Sequence, residues 1–386
     1  MNNGPANEAT GPPRLAIVLE GGGARASWQV GALRGLLREL PELSPRIMVG
    51  ISAGAINASS LANSDQPLPA AVEELAELWH VLKVERVFEA HPIGLMSRVL
   101  RVGLRVAFGL SARQNPILGM VNTNPLRETL SHGLHPGPSG SLDGVRANIA
   151  NGQLDSLALL TTRYHTGQTI CFFQGGEIGG WNRPNRRGIA SDLTVEHVMA
   201  SAALPLFFPP IQLKEDWYGD GGVRLIAPLA PAVHLGATKI LALSTRYART
   251  DSEADERRGK GPPSPALIAG NLFNAIFLDS LDQDAANLRR LNRLIENQCD
   301  PPSKLRAIDL ALMRPSVDLG RLASRFEPDL PWFFRRLLRN LGTKGADSQD
   351  LLSTVLFDPG YVSLLMELGE QDGRNSAPEI ARSLGL

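Results

Sequence analysis

The feature that most constrains this chain is a pattern that occurs twice near its start. Each time a short apolar run meets a glycine turn, and the turn opens into residues at helical spacing. The first copy is Leu15-Ala16-Ile17-Val18-Leu19, then Glu20 and Gly21-Gly22-Gly23. A helix follows from Trp28 to Leu40, whose apolar residues Val30, Leu33, Leu36, Leu37 and Leu40 share one face. The second copy is Arg46-Ile47-Met48-Val49, Gly50-Ile51-Ser52-Ala53-Gly54, and the small-residue helix Ala55–Leu61. Short continuous apolar runs read as strands buried on both faces, the habit of a parallel sheet. Parallel neighbours need crossover connections, so the opening reads βαβα and the fold class is α/β.

Gly-x-Ser-x-Gly between a strand and a helix is the context of a nucleophile elbow. The turn is tight enough that side chains flanking the serine would collide, so glycine suits positions 50 and 54. Ser52 then stands at the tip with a helix N-terminus aimed at it. The pentapeptide alone is common, and an ordinary strand-to-helix serine is the competing reading.

The remaining chain continues in the same style. Residues 1–13 are polar and rich in Gly, Asn and Pro, and are expected to be a disordered leader. Leu68–Leu82 reads as an acidic amphipathic helix. Between Ala90 and Arg127 there is no acidic residue, and Arg98, Arg101 and Arg105 fall on one face of a basic amphipathic pattern suited to a lipid interface or to a cap. Ser156–Thr162 and Gln168–Phe173 read as paired strands turning at Thr166-Gly167. Val195–Ala203 reads as a helix, and Pro205, Pro209 and Pro210 predict an extended stretch. Trp217–Gly222 leads to a helix over Pro228–Leu235 and a strand over Ile240–Leu243. Residues 247–263 read as a loop, Ala266–Gln298 as one long helix and Leu305–Met313 as a strand. The basic, aromatic run Pro331–Arg339 is a second candidate lipid or lid contact.

Composition narrows the function classes. Lysine plus arginine and aspartate plus glutamate both number 39 in 386 residues, so no bulk field points to nucleic acid. The two cysteines, Cys171 and Cys299, imply a reducing compartment, and the scattered histidines show no metal-ligand spacing. The start lacks a signal-peptide layout, and no run reaches the ~18 apolar residues of a spanning helix. A cytoplasmic location is expected, with any membrane contact made from the surface.

Serine ester hydrolysis needs a nucleophile, a base and donors for the oxyanion. Ser52 can supply the first and the glycine run the third, because bare backbone N–H groups approach a substrate closely. The base is open on the residues. Asp220 followed by His234 has the serine–acid–histidine order, but His234 sits in a helix-like run. Asp220, beside Gly221-Gly222, could take the proton directly if burial raised its basicity.

Four stretches in one order resemble the patatin-like phospholipases: Gly21-Gly22-Gly23-Ala24-Arg25-Ala26, Gly50-Ile51-Ser52-Ala53-Gly54, Ala200-Ser201-Ala202-Ala203-Leu204-Pro205 with Phe208-Pro209-Pro210, and Asp220-Gly221-Gly222. The resemblance implies a three-layer α/β/α fold with a mainly parallel sheet, and a Ser-Asp dyad of Ser52 and Asp220 without histidine. It implies an oxyanion hole at Gly21, Gly22, Gly23, Ala24 and Arg25, with Arg25 helping to orient the loop. It further implies a lipid-ester substrate such as membrane phospholipid, and neither metal nor cofactor. The catalytic domain is expected over 14–245, with a mainly helical extension over 246–386. One departure stands out. The family's glycine loop usually ends in glycine, and Ala26 stands there. Its methyl fits if the backbone is helical and strains the loop if φ is positive.

Three other readings compete. Acyl transfer to an alcohol would use the same dyad. A lipid-surface scaffold would follow if Ala26 spoiled the oxyanion hole. Gly21–Ala26 also satisfies the dinucleotide fingerprint G-x-G-x-x-A, but the second strand ends in Gly50-Ile51-Ser52 without the acid that holds a ribose.

Overall fold

The computed structural model describes residues 13–89, 119–255, 262, 265–277, 279–297, 306–329 and 349–386. The basic segment around Arg98–Arg105, the run Pro331–Arg339 and most of the expected leader lie outside these residues.

The doubled opening folds as its pattern predicts. Strand β1 (Leu15–Leu19) leads through the glycine run to α1 (Ser27–Glu39), and β2 (Ile47–Ile51) leads through Ser52 to α2 (Ala53–Asn63). Helices α3 (Leu68–Val81), α4 (Val84–Val87), α5 (Asn124–Gly133) and α6 (Asp143–Ala150) follow. Next come β3 (Ser156–Arg163), β4 (Gln168–Gly175), β5 (Trp181–Arg183), β6 (Arg186–Ala190), α7 (Val195–Ser201), β7 (Ile211–Leu213) and β8 (Asp216–Asp220). Helix α8 (Ala230–His234) and β9 (Lys239–Leu243) precede the last third. That third holds α9 (Asp251–Ala254), α10 (Pro265–Phe277), α11 (Ser280–Glu296), β10 (Asp309–Met313), α12 (Leu319–Ala323), α13 (Gln349–Val355) and α14 (Pro359–Leu384).

One sheet runs β10-β9-β1-β2-β3-β4-β6-β5, and β8 joins beside β3 with β7 at its outer side. From β10 to β3 every pairing is parallel, whereas β3–β4 and β3–β8 are antiparallel. Side chains alternate between two cores. Leu15, Ile17 and Leu19 of β1 pack with α1, α2, α3 and α14, while Ala16 and Val18 face Leu229 and Ala232 near α8 and Leu281 and Ala285 of α11. Helices therefore cover both faces of the sheet. The strands read as unbroken apolar runs because neither face meets water.

Helix α14 is the main cover over α1. Gly31 and Gly369 let the two backbones touch, since a Cβ at Gly31 would fall 1.9 Å from the Met366 carbonyl. The Trp28 indole N–H donates to Asp372 at 2.8 Å across the same junction.

Two expectations change. The long helix predicted over 266–298 is two helices, α10 and α11, with Asp279 at the N-cap of the second. The Pro205–Pro210 stretch begins with a turn instead of an extended segment. The Phe208 N–H bonds the Leu204 carbonyl at 2.8 Å, and Leu206 takes a φ of 67°. Proline constrains its own φ and that of the residue before it, so Leu206 and Phe207 remain free to bend.

Candidate active site

Ser52 sits where β2 gives way to α2, with φ 55° and ψ −127°. A non-glycine residue there is strained, and such strain persists only where the surroundings hold it. Its N–H donates to the Ser201 hydroxyl at 3.1 Å, and that hydroxyl donates to the Leu160 carbonyl at 2.6 Å. Gly54 permits the elbow to press against the first crossover, because a Cβ there would lie 2.2 Å from the Leu19 carbonyl.

Asp220 arrives through β8. That strand continues the edge of β3 beyond the end of β2, since Ile51 pairs with Leu160 and Asp220 pairs with Thr161. The register brings residues 168 positions apart into contact: the Ser52 hydroxyl donates to Asp220 Oδ2 at 2.6 Å. The other oxygen accepts the Gly222 N–H at 2.8 Å, and the Asp220 backbone is held by Thr162 and Ala203. Asp220 is fully buried, and burial pushes its carboxyl up to about 7 against the opposing pull of the bonds from Ser52 and Gly222. A carboxyl that gains no cation and loses its water holds its proton more tightly.

The glycine run lies beside this pair, with Gly21 packed against Ser52. Gly22 has φ 146° and Gly23 φ 58°. The Gly22 and Gly23 N–H groups donate to no acceptor among the described residues, whereas the Arg25 N–H bonds the Gly22 carbonyl at 3.2 Å. Ala24 and Arg25 already belong to a short 3-10 helix, Gly23–Ala26. Ala26 has φ −67° and ψ −12°, so its methyl sits on ordinary helical backbone. The condition that would have strained this position is not met.

His234 is elsewhere. Its ring stacks on Trp181 at 4.6 Å, and burial followed by the Arg183 and Arg186 charges keep it less basic than a free imidazole. Among the described residues no histidine bonds Ser52 or Asp220.

The description of the patatin-like phospholipases matches residues 17–233, more than half of the chain. The chain belongs to the patatin-like phospholipase family. Solved structures with similar folds include human GIVD cytosolic phospholipase A2 in complex with methyl gamma-linolenyl fluorophosphonate. It aligns with TM-score 0.46 and 15% identity over 97% of this chain and 59% of that one. VipD from Legionella pneumophila aligns with TM-score 0.37 and 13% identity, covering 97% and 67%. ExoU of Pseudomonas aeruginosa, solved with SpcU, aligns with TM-score 0.28 and 16% identity, covering 88% and 73%. The chain thus spans about three fifths of the length of the human protein. None of the curated proteins compared with it matches its sequence.

In this patatin-like protein the glycine loop is braced by residues that its motifs do not contain. The Thr245 hydroxyl, just past β9, donates to the Gly21 carbonyl at 2.6 Å. On the other side stands α13. Arg25 is buried there, donating through Nε to the Ser353 hydroxyl at 2.7 Å and through Nη2 to Asp350 Oδ1 and the Asp350 carbonyl, both at 2.9 Å. The Thr354 carbonyl touches the loop so closely that a Cβ at Gly23 would fall 2.0 Å from it. Glu20, behind the loop, is buried and raised to about 8 chiefly by burial; it accepts bonds from the Ser244 hydroxyl and the Thr245 N–H. No local pattern announces these partners, because all lie more than 200 positions from the loop.

An apolar cleft opens on Ser52. Gly22, Gly23, Ser52 and Ala53 form its polar end, and Leu82, Val87, Leu126, Phe208, Val355 and Phe357 give it apolar walls.

Proposed function

We propose that the protein is a lipid acyl-ester hydrolase working through Ser52 and Asp220. The observation that carries this is the 2.6 Å bond from the Ser52 hydroxyl to a buried Asp220 carboxylate, at the polar end of an apolar cleft. A general base must lie within hydrogen-bond reach of the proton it takes, and one titrating near neutrality accepts it efficiently. Burial gives Asp220 that basicity without an imidazole.

The steps follow from the placement. Asp220 takes the Ser52 proton as the Ser52 oxygen attacks the ester carbonyl. The tetrahedral oxyanion meets the Gly22 and Gly23 N–H groups, with the N-terminus of α2 favouring negative charge nearby. Collapse expels the alcohol, which leaves with the proton from Asp220. Water then gives a proton to Asp220 and attacks the acyl-Ser52 ester. Release of the fatty acid returns that proton to Ser52. The apolar walls suit the acyl chain, and helical Ala26 removes the ground for an inactive scaffold.

Lipidomics of the purified protein on mixed phospholipid and neutral-lipid vesicles, beside Ser52→Ala, tests the reading. Free fatty acid that appears only with Ser52 supports it, and a new acyl ester in place of free acid makes the protein a transacylase. Equal product from both proteins would remove the dyad.

A further inference from the structure

The turn that follows Asp220 lies in an unusual setting. In a chain of zero net charge, four arginines near it form no ion pair among the described residues: Arg183, Arg186, Arg187 and Arg224. Strand register puts the first three at the end of the sheet that carries Ser52 and Asp220. Thr161 pairs with Asp220 on one side and Ile170 on the other, and Ile170 pairs with Arg187. One step further, Thr162 pairs with Thr169, Thr169 with Arg186, and Arg186 with Arg183. Arg224 closes the 3-10 turn Gly221–Arg224 and leans on the β3–β4 hairpin, its guanidinium 3.7 Å from where a Cβ at Gly167 would sit. Asp284 senses Arg186 through space, but its carboxylate accepts the Leu229 N–H.

Exposed apolar groups adjoin this cluster. Ile226 is 67% exposed, two residues beyond Arg224. Helix α10 packs beside the Gly221–Arg224 turn and contains no charged residue. Its Ile268, Leu272 and Ile276 are 49%, 59% and 39% exposed, and their spacing of four puts them in one stripe. Asn274 of α10 also donates to Asp350, so the helix borders α13 at the glycine loop. A stripe without charge marks an interaction site when it is contiguous. Unpaired arginines beside such a stripe complement an apolar layer with an anionic surface.

We propose that this end of the sheet, with Arg183, Arg186, Arg187 and Arg224 beside Ile226 and the α10 stripe, docks on an anionic phospholipid bilayer. Guanidiniums engage lipid phosphates while the aliphatic side chains enter the outer acyl layer. Ser52 lies at the same end of the sheet, so docking brings it towards the layer that would hold a lipid ester. The docking itself does not depend on hydrolysis; only its purpose rests on the lipid-ester reading.

The test uses the full chain carrying Ser52→Ala, sedimented with vesicles of phosphatidylcholine alone and of phosphatidylcholine with phosphatidylglycerol. Binding to the anionic vesicles, weakened by salt, is expected. Replacing the four arginines by glutamine should lower that affinity on the order of 100-fold, and by lysine only slightly. Leu272→Ser with Ile276→Ser should weaken binding at every salt concentration. With Ser52 restored, all these variants should keep wild-type turnover of a soluble p-nitrophenyl ester, which also shows that they fold. The proposal is overturned if the parent ignores anionic vesicles, as an acidic protein partner would require. It is also overturned if the glutamine variant binds like the parent, or if the loss follows Arg98, Arg101 and Arg105 instead. Vesicle binding without any ester turnover would leave docking standing and remove the hydrolase reading.

Discussion

The two glycine turns at the head of the chain have the same local grammar and opposite structural support. At the Ser52 elbow the glycines answer to near neighbours: a Cβ at Gly50 would meet Ala55, and one at Gly54 would meet Leu19 and Glu20. In the glycine loop Gly22 and Gly23 answer to remote ones, Thr245 on one side and Thr354 on the other. The elbow's glycines thus answer to the βαβα unit that contains them, and Ser201 adds a single bond, accepted from the Ser52 N–H. The glycine loop takes its shape from the last third of the chain, which holds it through Arg25, Asp350 and Ser353. Placing a nucleophile needs a tight turn, whereas fixing two N–H groups needs a mould.

The sharpest break removes the proposed dyad. Ser52→Ala and Asp220→Asn should each lower turnover of a p-nitrophenyl ester on the order of 10⁴-fold or more, with the melting temperature little changed. A fluorophosphonate probe should label wild type and not Ser52→Ala.

Next comes the mould. Asp350→Ala leaves the Arg25 guanidinium buried without its carboxylate, an arrangement that costs about 3–5 kcal/mol when one partner is removed. Chemical denaturation should show that loss. Amide exchange should rise at residues 21–26 and stay low at 50–54; equal loosening of both turns would break the contrast.

The pH profile follows in size. In the proposed mechanism Asp220 must be deprotonated to accept the Ser52 proton, so kcat/KM on an uncharged ester should fall as pH drops below about 7. Stability has its own sign. Glu20 and Asp220 have folded-state values raised above their ordinary 4.5 and 3.8, so the folded protein binds the extra protons and stability declines as pH rises toward about 8 and 7. Glu20→Gln should therefore flatten the stability profile between pH 4.5 and 8 and leave the activity limb in place. A shift of that limb would mean that the group behind the glycine loop governs the reaction.

The smallest effect belongs to Ala26→Gly. With φ at −67° the alanine is relaxed, so the variant should lose at most about 1 kcal/mol of stability and gain no turnover. A clear gain would show that the methyl obstructs the loop.

Much of the fold was legible because its signals are local. Unbroken runs such as Leu15–Leu19 and Ile240–Leu243 announce strands covered on both faces, and the hairpin at Thr166-Gly167 stands where turn chemistry put it. The turn at Pro205–Phe208 was missed because proline restricts backbone angles without dictating the direction of the chain beyond them. The helix break before Ser280 was missed because apolar periodicity persists across it. At the site, Ser52 was readable from a pentapeptide in context. Asp350, Ser353 and Thr245 were not, because a lone hydroxyl or carboxylate carries no periodicity to betray which loop it will touch.

The amino-acid order alone determined that two buried strands would each end in a glycine turn, that a serine would crown the second, and that the class would be α/β. Those outcomes depend on backbone sterics and apolar spacing within about twenty residues. The family resemblance named Asp220, but only the tertiary structure decided how that carboxylate reaches Ser52 and which side chains brace Gly22 and Gly23. Both depend on strand register and helix docking between distant segments, and burial against those partners raises Asp220 toward neutrality.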